Sequence, residues 1–324
     1  MVSRFGSREI CDVTFKALTN DFTVGNKTFA AGQPVFVIDT ATASSMEQAT
    51  TTVYAQGGRG YTRLIAWEGE KTMTFNVTDA LMSPLGLKIL TGAGLSDASA
   101  TDVKHVHVTY DIALAGTTNG SGTISLAQLK EELGLPSATT IVKVCNDTQL
   151  KPYATVLDNN GAIVDWVDAT DITLTGTADP DKANLIDVDS TTPLTVTVTG
   201  VTNKTIKLDF YVYMTSGVTE IKIKPEDFGG YFYVEADTLY RNESGKDMAA
   251  TLTFPKVKIQ SGFTLSMSPT GDPSTFDFVM DAFPAYTYFD QAQKVVCDIT
   301  VVGGDTSAAE GAKHSTPVAH GPKV

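Results

Sequence analysis

A chain of 324 residues, 42% apolar and 19% charged, is long enough for two ordinary domains and apolar enough to bury a real core. Its formal charge of −13 at pH 7 excludes roles that depend on gripping nucleic acid, because that affinity comes from lysine and arginine displacing counterions from phosphates. Cys11, Cys145 and Cys297 are widely spaced and form no CxxC pair, which argues against a disulfide framework or a structural zinc site and predicts reduced, buried thiols.

The opening residues MVSRFGSREICDV lack the apolar stretch of a signal peptide, and no window approaches the roughly 18 apolar residues that span a bilayer. The chain is therefore expected to start life in a cytoplasm, with no membrane partner. On that expectation the sequons at Asn26, Asn76, Asn146, Asn203 and Asn242 reflect abundant threonine rather than glycosylation.

In chain order, DVTFKAL places Val13, Phe15 and Ala17 on one face of a strand, and PVFVIDT is a short β-branched and aromatic run opened by Pro34. Residues 51 to 77, TTVYAQGGRGYTRLIAWEGEKTMTFNV, then set three glycines and two arginines between two strand-like runs. A phosphate-binding loop would need a helix after the glycines, so that its N–H groups converge on the anion. Here Leu64, Ile65 and Trp67, then Met73, Phe75 and Val77, continue as strand, and neither nucleotide-binding glycine template fits. A loop where protein surfaces meet is the better reading.

TDALMSPLGLKILTGAG is the helical exception in this half. Asp79 or Ser83 caps it, Pro84 suits its first turn, Gly92 with Gly94 ends it, and Leu81, Leu85 and Ile89 are expected on its buried side. Gly86 weakens it by about 1 kcal/mol relative to alanine, so it needs a sheet to lie on.

From about residue 113 glycine, serine, threonine and aspartate take over. A short helix in SLAQLKEELG has Ser125 as cap, Leu126, Leu129 and Leu133 as its stripe, and Gly134 then Pro136 as its stop. TTIVKVC, GAIVDWV, DITLTG and PLTVTVTG follow as strands, with the acids Asp158, Asp165, Asp168, Asp171, Asp179, Asp181, Asp187 and Asp189 among them, opposed nearby by Lys151, Lys182 and Lys204. This reads as a solvent-facing β-rich insertion. Past residue 205 the earlier character returns in TIKLDFYVYM, TEIKIK, YFYVEAD, AATLTF, FTLSMS, STFDFVMDAF and KVVCDITVV. The chain is thus expected to be mainly β, an antiparallel β-sandwich or barrel rather than a parallel sheet served by crossover helices. Its stretches are a first part over 1–112, an inserted acidic module over 113–205, a second part over 206–302, and a low-complexity tail over 303–324 expected to be disordered in isolation.

Chemical sites do not emerge. His105 and His107 share one side of a strand but have no visible third ligand, since His314 and His320 lie in the tail. DPDKANLIDVDS spaces aspartates as a calcium loop does, yet lacks the EF-hand glycine and final glutamate. No G-x-S-x-G occurs, and nothing selects a carboxylate pair. No catalytic residue, cofactor or metal is expected, and Trp67 and Trp166 read as core or interface anchors rather than sugar platforms.

The stretches FGSREICDVTFKA, TTVYAQGGRGYTRLIAWEGEKTMTFNVTDALMSPLGLKILTGAGL and FPKVKIQSGFTLSMSPTGDPSTFDFVMDAF resemble the tail tube (major tail) proteins of tailed bacteriophages. The resemblance covers roughly residues 3 to 95 and 218 to 285 and leaves the acidic module unmatched. It implies a β-sandwich with a flanking helix, assembled as hexameric rings whose inner sheets join into a barrel, stacked into a tube that carries DNA into the host. The implied partners are further copies of the chain, baseplate, tail terminator and tape-measure proteins, and a sheath if the tail is contractile. The implied location is the virion tail, assembled in the host bacterial cytoplasm. On this reading the loop at Gly57, Gly58 and Gly60 makes a subunit contact, with Arg59, Tyr61, Arg63 and Trp67 at the interface and the two arginines pairing with acids across it. The alternatives are another virion structural protein, of baseplate or capsid decoration, and a carbohydrate-binding adhesive β-sandwich, which would show an exposed aromatic platform.

Overall fold

The computed structural model describes residues 5–25, 27–57, 59–260, 262–265 and 275–302. Asn26, Gly58 and the tail 303–324, with His314 and His320, lie outside the described residues. The chain divides into two compact units, named by their order along the chain alone: an outer one, Met1–Leu95 with Ile221–Val324, which flanks in sequence an inner one, Ser96–Glu220.

The first segment forms β1 (Phe5–Ser7), β2 (Asp12–Ala17), β3 (Phe22–Val24), β4 (Lys27–Phe29), β5 (Pro34–Ile38), β6 (Ala41–Gly57), β7 (Thr62–Asp79), α1 (Pro84–Thr91) and β8 (Gly94–Asp97). The middle forms β9 (Lys104–Ala113), β10 (Asn119–Ile124), α2 (Leu126–Leu133), β11 (Val142–Cys145), β12 (Tyr153–Leu157), β13 (Ile163–Val167), β14 (Ile172–Thr175), β15 (Thr177–Ala178), β16 (Leu185–Val188), β17 (Leu194–Thr199) and β18 (Thr205–Met214). The chain returns as β19 (Thr219–Lys222), β20 (Tyr231–Asn242), β21 (Asp247–Ile259), β22 (Phe276–Ala282) and β23 (Asp298–Val301). The protein is mainly β and its sheets are antiparallel, as the period-two runs require.

In the outer unit one sheet runs β5-β2-β20-β21-β22-β7-β6, with β1 added to β20 and β23 to β21. Val13, Phe15 and Ala17 all turn into the core, as their alternation predicts. The ring of Phe15 lies 5.8 Å from Phe36 and 6.0 Å from Phe232 and Phe278, in the tilted and edge-on arrangements that aromatic quadrupoles favour.

Helix α1 covers this ring cluster. Ser83 caps it, its hydroxyl accepting from the Gly86 N–H, Pro84 opens it, and Gly92 closes it at φ 76°. A Cβ on Gly92 would fall 2.3 Å from the Phe228 carbonyl oxygen, so the position demands glycine on both counts. Gly86, costly within a helix, is explained by contact: a Cβ there would sit 3.3 Å from the Phe36 ring, so its absence lets the helix approach the sheet. Ile89 and Leu90 are buried beneath it, each worth about 1.5–3 kcal/mol relative to exposure. One expectation is corrected, and the choice between the two expected caps falls to Ser83. Leu81 is exposed, because Ser83 before Pro84 is held extended (ψ 153°) and the helical period begins only afterwards. Asp79 is a buried acceptor for the Thr40 hydroxyl and the Leu81 N–H rather than the cap.

The inner unit holds a seven-stranded sheet, β13-β12-β18-β11-β16-β15 with β9 on β18, and a three-stranded sheet, β10-β17-β14. Leu194, Val196 and Val198 from one and Ile206, Leu208 and Phe210 from the other share a single core. Ser125 and Gln128 form a reciprocal capping box on α2, and Leu126 and Leu129 are buried under it. The expected limits of this module, 113 and 205, fall at the end of β9 and the start of β18. Those strands are joined by ten register pairs from Thr205–Ala113 to Met214–Lys104, so both belong wholly to the inner unit. The three thiols are free, and burial pushes Cys145 up to about 11 and Cys297 up to about 12.

Candidate assembly surface

β6 and β7 outrun the sheet that holds them. β22 pairs with β7 over Met73–Asp79, and among the described residues no strand pairs with the same edge of Thr62–Thr72. β6 is the last strand of the sheet among the described residues, none of which pairs with its outer edge. The hairpin is anchored at its base, where Phe75 and Val77 are buried and Phe75 stacks on Phe254 at 4.9 Å. Beyond Met73 it is an arm exposed on both faces.

The two faces differ. Register pairs Val53–Trp67 and Ala55–Ile65 put four apolar residues on one face, while Thr52–Glu68 and Tyr54–Ala66 lie on the other. Val53 is 64% exposed, Ile65 54% and Trp67 53%. Native edge strands are usually protected by charge, proline or brevity. β6 is 17 residues long, contains no proline and has Glu47 as its one charged side chain. Such an edge, left open, is a template for another strand.

Three register shifts interrupt the β6–β7 ladder, at Ala41/Ala43 in its base and at Thr50/Thr52 and Ala55/Gln56 in the arm, and such bulges locally increase strand twist. At the second, the Thr51 hydroxyl accepts from the Glu70 N–H at 2.9 Å, and a Cβ on Gly69 would fall 2.6 Å from that hydroxyl oxygen. The tip turns through Arg59, Gly60 (φ 93°) and Tyr61 (φ 53°). A left-handed tyrosine costs backbone energy that its own chain does not visibly repay, since its ring is fully out in solvent at 75% exposure.

Of the sequence-predicted interface residues, all four lie on this arm and all are exposed. Trp67 stands on the apolar face. Arg63 lies over the Tyr54 ring at 4.1 Å, a cation–π contact within the arm. Arg59 projects at the tip and makes no ion pair among the described residues. Sequence reasoning missed the first half of β6, ATASSMEQAT, whose only strand signals are β-branched threonines and the lack of a turn residue before Gly57.

The other candidate sites resolve into internal pairings. His107 Nε2 stands 3.0 Å from the Asp209 carboxylate, and the rings of His105 and His107 lean on Tyr213 and Tyr211 across β9 and β18. Among the described residues no three His, Cys, Asp or Glu side chains converge as metal ligands. In DPDKANLIDVDS, Asp179 accepts from Lys143 and from the N–H groups of Asp181 and Lys182, and Asp187 lies 3.4 Å from the same lysine. Lys143 first, then those N–H groups, hold the Asp179 carboxyl below the usual carboxylate range. These acids surround a cation that the chain itself supplies.

A family model described as the YomU/Tube protein family matches residues 19–295, most of the chain and both units. No curated protein matches it.

Proposed function

The chain belongs to the YomU/Tube protein family and is a structural protein of the phage tail tube, a component of the virion tail; from this premise we propose that it polymerises as homohexameric rings stacked into the conduit through which DNA enters the host. The observation that carries the proposal is the arm, whose two edges and apolar face are left uncovered by the described residues. A neighbouring copy that pairs with an open edge removes the aggregation hazard, and a closed ring of copies removes it all round. Ring-on-ring stacking is heterologous, and its repetition gives an open filament.

In this scheme the outer unit builds the tube, and the arm reaches a second copy, with Arg59, Tyr61, Arg63 and Trp67 in the contact. The inner unit lies outside the lumen, since an insertion there would block DNA. A wall without lysine arrays lets the polyanion slide, and screening confines its repulsion to roughly 8 Å at physiological salt. Assembly takes place in the host bacterial cytoplasm, with baseplate, tail terminator and tape-measure proteins as further partners and a sheath if the tail contracts.

The test is negative-stain electron microscopy of the purified chain over a concentration series, beside the double variant R59E/R63E. The wild type should give long hollow tubes with a regular axial repeat, and the variant a folded chain without tubes. Normal tubes from the variant would remove the arm's arginines from the contact.

A further inference from the structure

The seven-stranded sheet of the inner unit turns one face to solvent, and that face carries an ordered feature to which the proposed assembly scheme gives no role. Register places Trp166 of β13 opposite Thr155 of β12, Thr155 opposite Lys207 of β18, and Tyr153 opposite Asp209. His105 of β9 stands opposite Tyr213. Trp166, Tyr153, Tyr211 and His105 are therefore each one strand over and two residues along from the last. They form a diagonal of four rings across four strands. Diagonal neighbours on one sheet face are about 7–8 Å apart, so the line runs for roughly 20 Å. Its first two members are far more exposed than such rings usually are, Trp166 at 76% and Tyr153 at 58%.

Between the rings stand hydrogen-bonding side chains, among them Thr155, Asp209 and His107, with Lys207 paired to Asp111 at 3.0 Å. Past His105 the line opens into a groove of about 340 Å³ lined by Tyr213, Asp147, Lys182 and Asn184, within the size range of small-ligand sites. Lys182 closes over the Tyr213 ring and bonds its hydroxyl, giving the groove a fixed wall.

We propose that this face is a binding track for a neutral polysaccharide chain. A pyranose presents a C–H face that packs on an aromatic ring and an equatorial rim of hydroxyls that both donate and accept. Rings alternating with Asp, His, Thr and Lys supply both along the line. The core of a protein interface is depleted in charge, and this face would have to bury the Lys207–Asp111 ion pair and the Asp209 carboxylate between its rings. Nucleic acid also stacks on rings, but Asp111, Asp147 and Asp209 beside Lys182 and Lys207 leave no surplus of cations to hold phosphates. The track belongs to the inner unit alone and does not rest on polymerisation.

The experiment is affinity electrophoresis of the full chain through native gels containing dissolved mannan, dextran or arabinogalactan. At least one polysaccharide should retard the wild type relative to a reference protein, and the W166A/Y153A variant should migrate as it does in a plain gel with an unchanged melting temperature. The chain has two tryptophans, so in a Trp67→Phe background Trp166 is the only indole, and under excitation selective for tryptophan the retarding polysaccharide should shift its emission to the blue. No retardation by any of the three, or equal retardation of the variant, overturns the proposal. Loss of tubes in W166A/Y153A without a change in retardation would assign the face to a contact between copies and overturn it equally.

Discussion

The pairs β6–β7 and β9–β18 are both long antiparallel ladders with apolar residues at alternate positions, yet they end in opposite states. In β18, Ile206, Leu208, Phe210 and Val212 are all buried, because a second sheet of the inner unit lies over them. In the arm, Val53, Ala55, Ile65 and Trp67 make the same kind of stripe, and none of them is buried. Period-two patterning states which side of a ladder is apolar. Whether the same chain supplies the opposing layer is a separate property, and where it does not, the stripe points to another molecule.

Truncation at matched positions should separate the two states most sharply. Phe210→Ala, in a fully buried position, is expected to cost about 3–5 kcal/mol in denaturant unfolding. Trp67→Ala should change the stability of the isolated chain by less than about 0.5 kcal/mol while preventing tube growth. A Trp67→Ala loss as large as that of Phe210→Ala would mean that the arm is packed by its own chain.

A smaller effect is expected at the arm's middle register shift. Gly69→Ala would push the Thr51 hydroxyl off the Glu70 N–H, a hydrogen bond worth about 1 kcal/mol net, or about fivefold in local opening. Amide exchange at Glu70 should quicken with the melting temperature unchanged. A lowered melting temperature would show the arm to be cooperative with the sheet that anchors it.

The smallest effect belongs to the inner unit and depends on pH. Lys143 depresses the Asp179 carboxyl, so its stabilisation is complete above the ordinary value of 3.8 and is lost as the pH falls through the lower folded value. Asp179 in turn raises Lys143, whose contribution is complete below its ordinary 10.5 and is lost as the pH rises through the higher folded value. The melting-temperature difference between wild type and Asp179→Asn should be flat between those limits and shrink beyond each. A difference that persists unchanged into acid would remove the ion pair as its cause.

What could be read from the sequence was local chemistry. Ser83, Pro84 and Gly92 fix α1, and Ser125 and Gly134 fix α2, because each satisfies the orphan groups of one helix end without help from afar. Strand signals held in DITLTG and PLTVTVTG, where β-branched residues alternate; FTLSMS, expected as a strand, is not one over residues 263–265, and 266–268 lie outside the described residues. Pairings between distant segments left no such trace. Nothing local marks Lys143 as the partner of Asp179, or places Trp166 and His105 at the two ends of one line, since the first arises only when distant segments fold together and the second only when β13, β12, β18 and β9 come into register. The glycine loop and the strand after it, with the four residues proposed for the contact, were legible in the sequence, while the depth of the arm was not, because ATASSMEQAT carries too little hydrophobicity to announce a strand.

The inner unit begins and ends in the same place. The Ala98 N–H donates to the Val218 carbonyl at 2.7 Å, Thr219 bonds Asp97 at 2.6 Å, and the buried Lys104 ammonium reaches Ser96 at 2.8 Å and Glu220 at 2.7 Å. In genetic terms this makes the whole excursion a cassette: one pair of breakpoints could remove it, or exchange it for another fold with neighbouring termini, while the flanking reading frame still encodes a continuous outer unit.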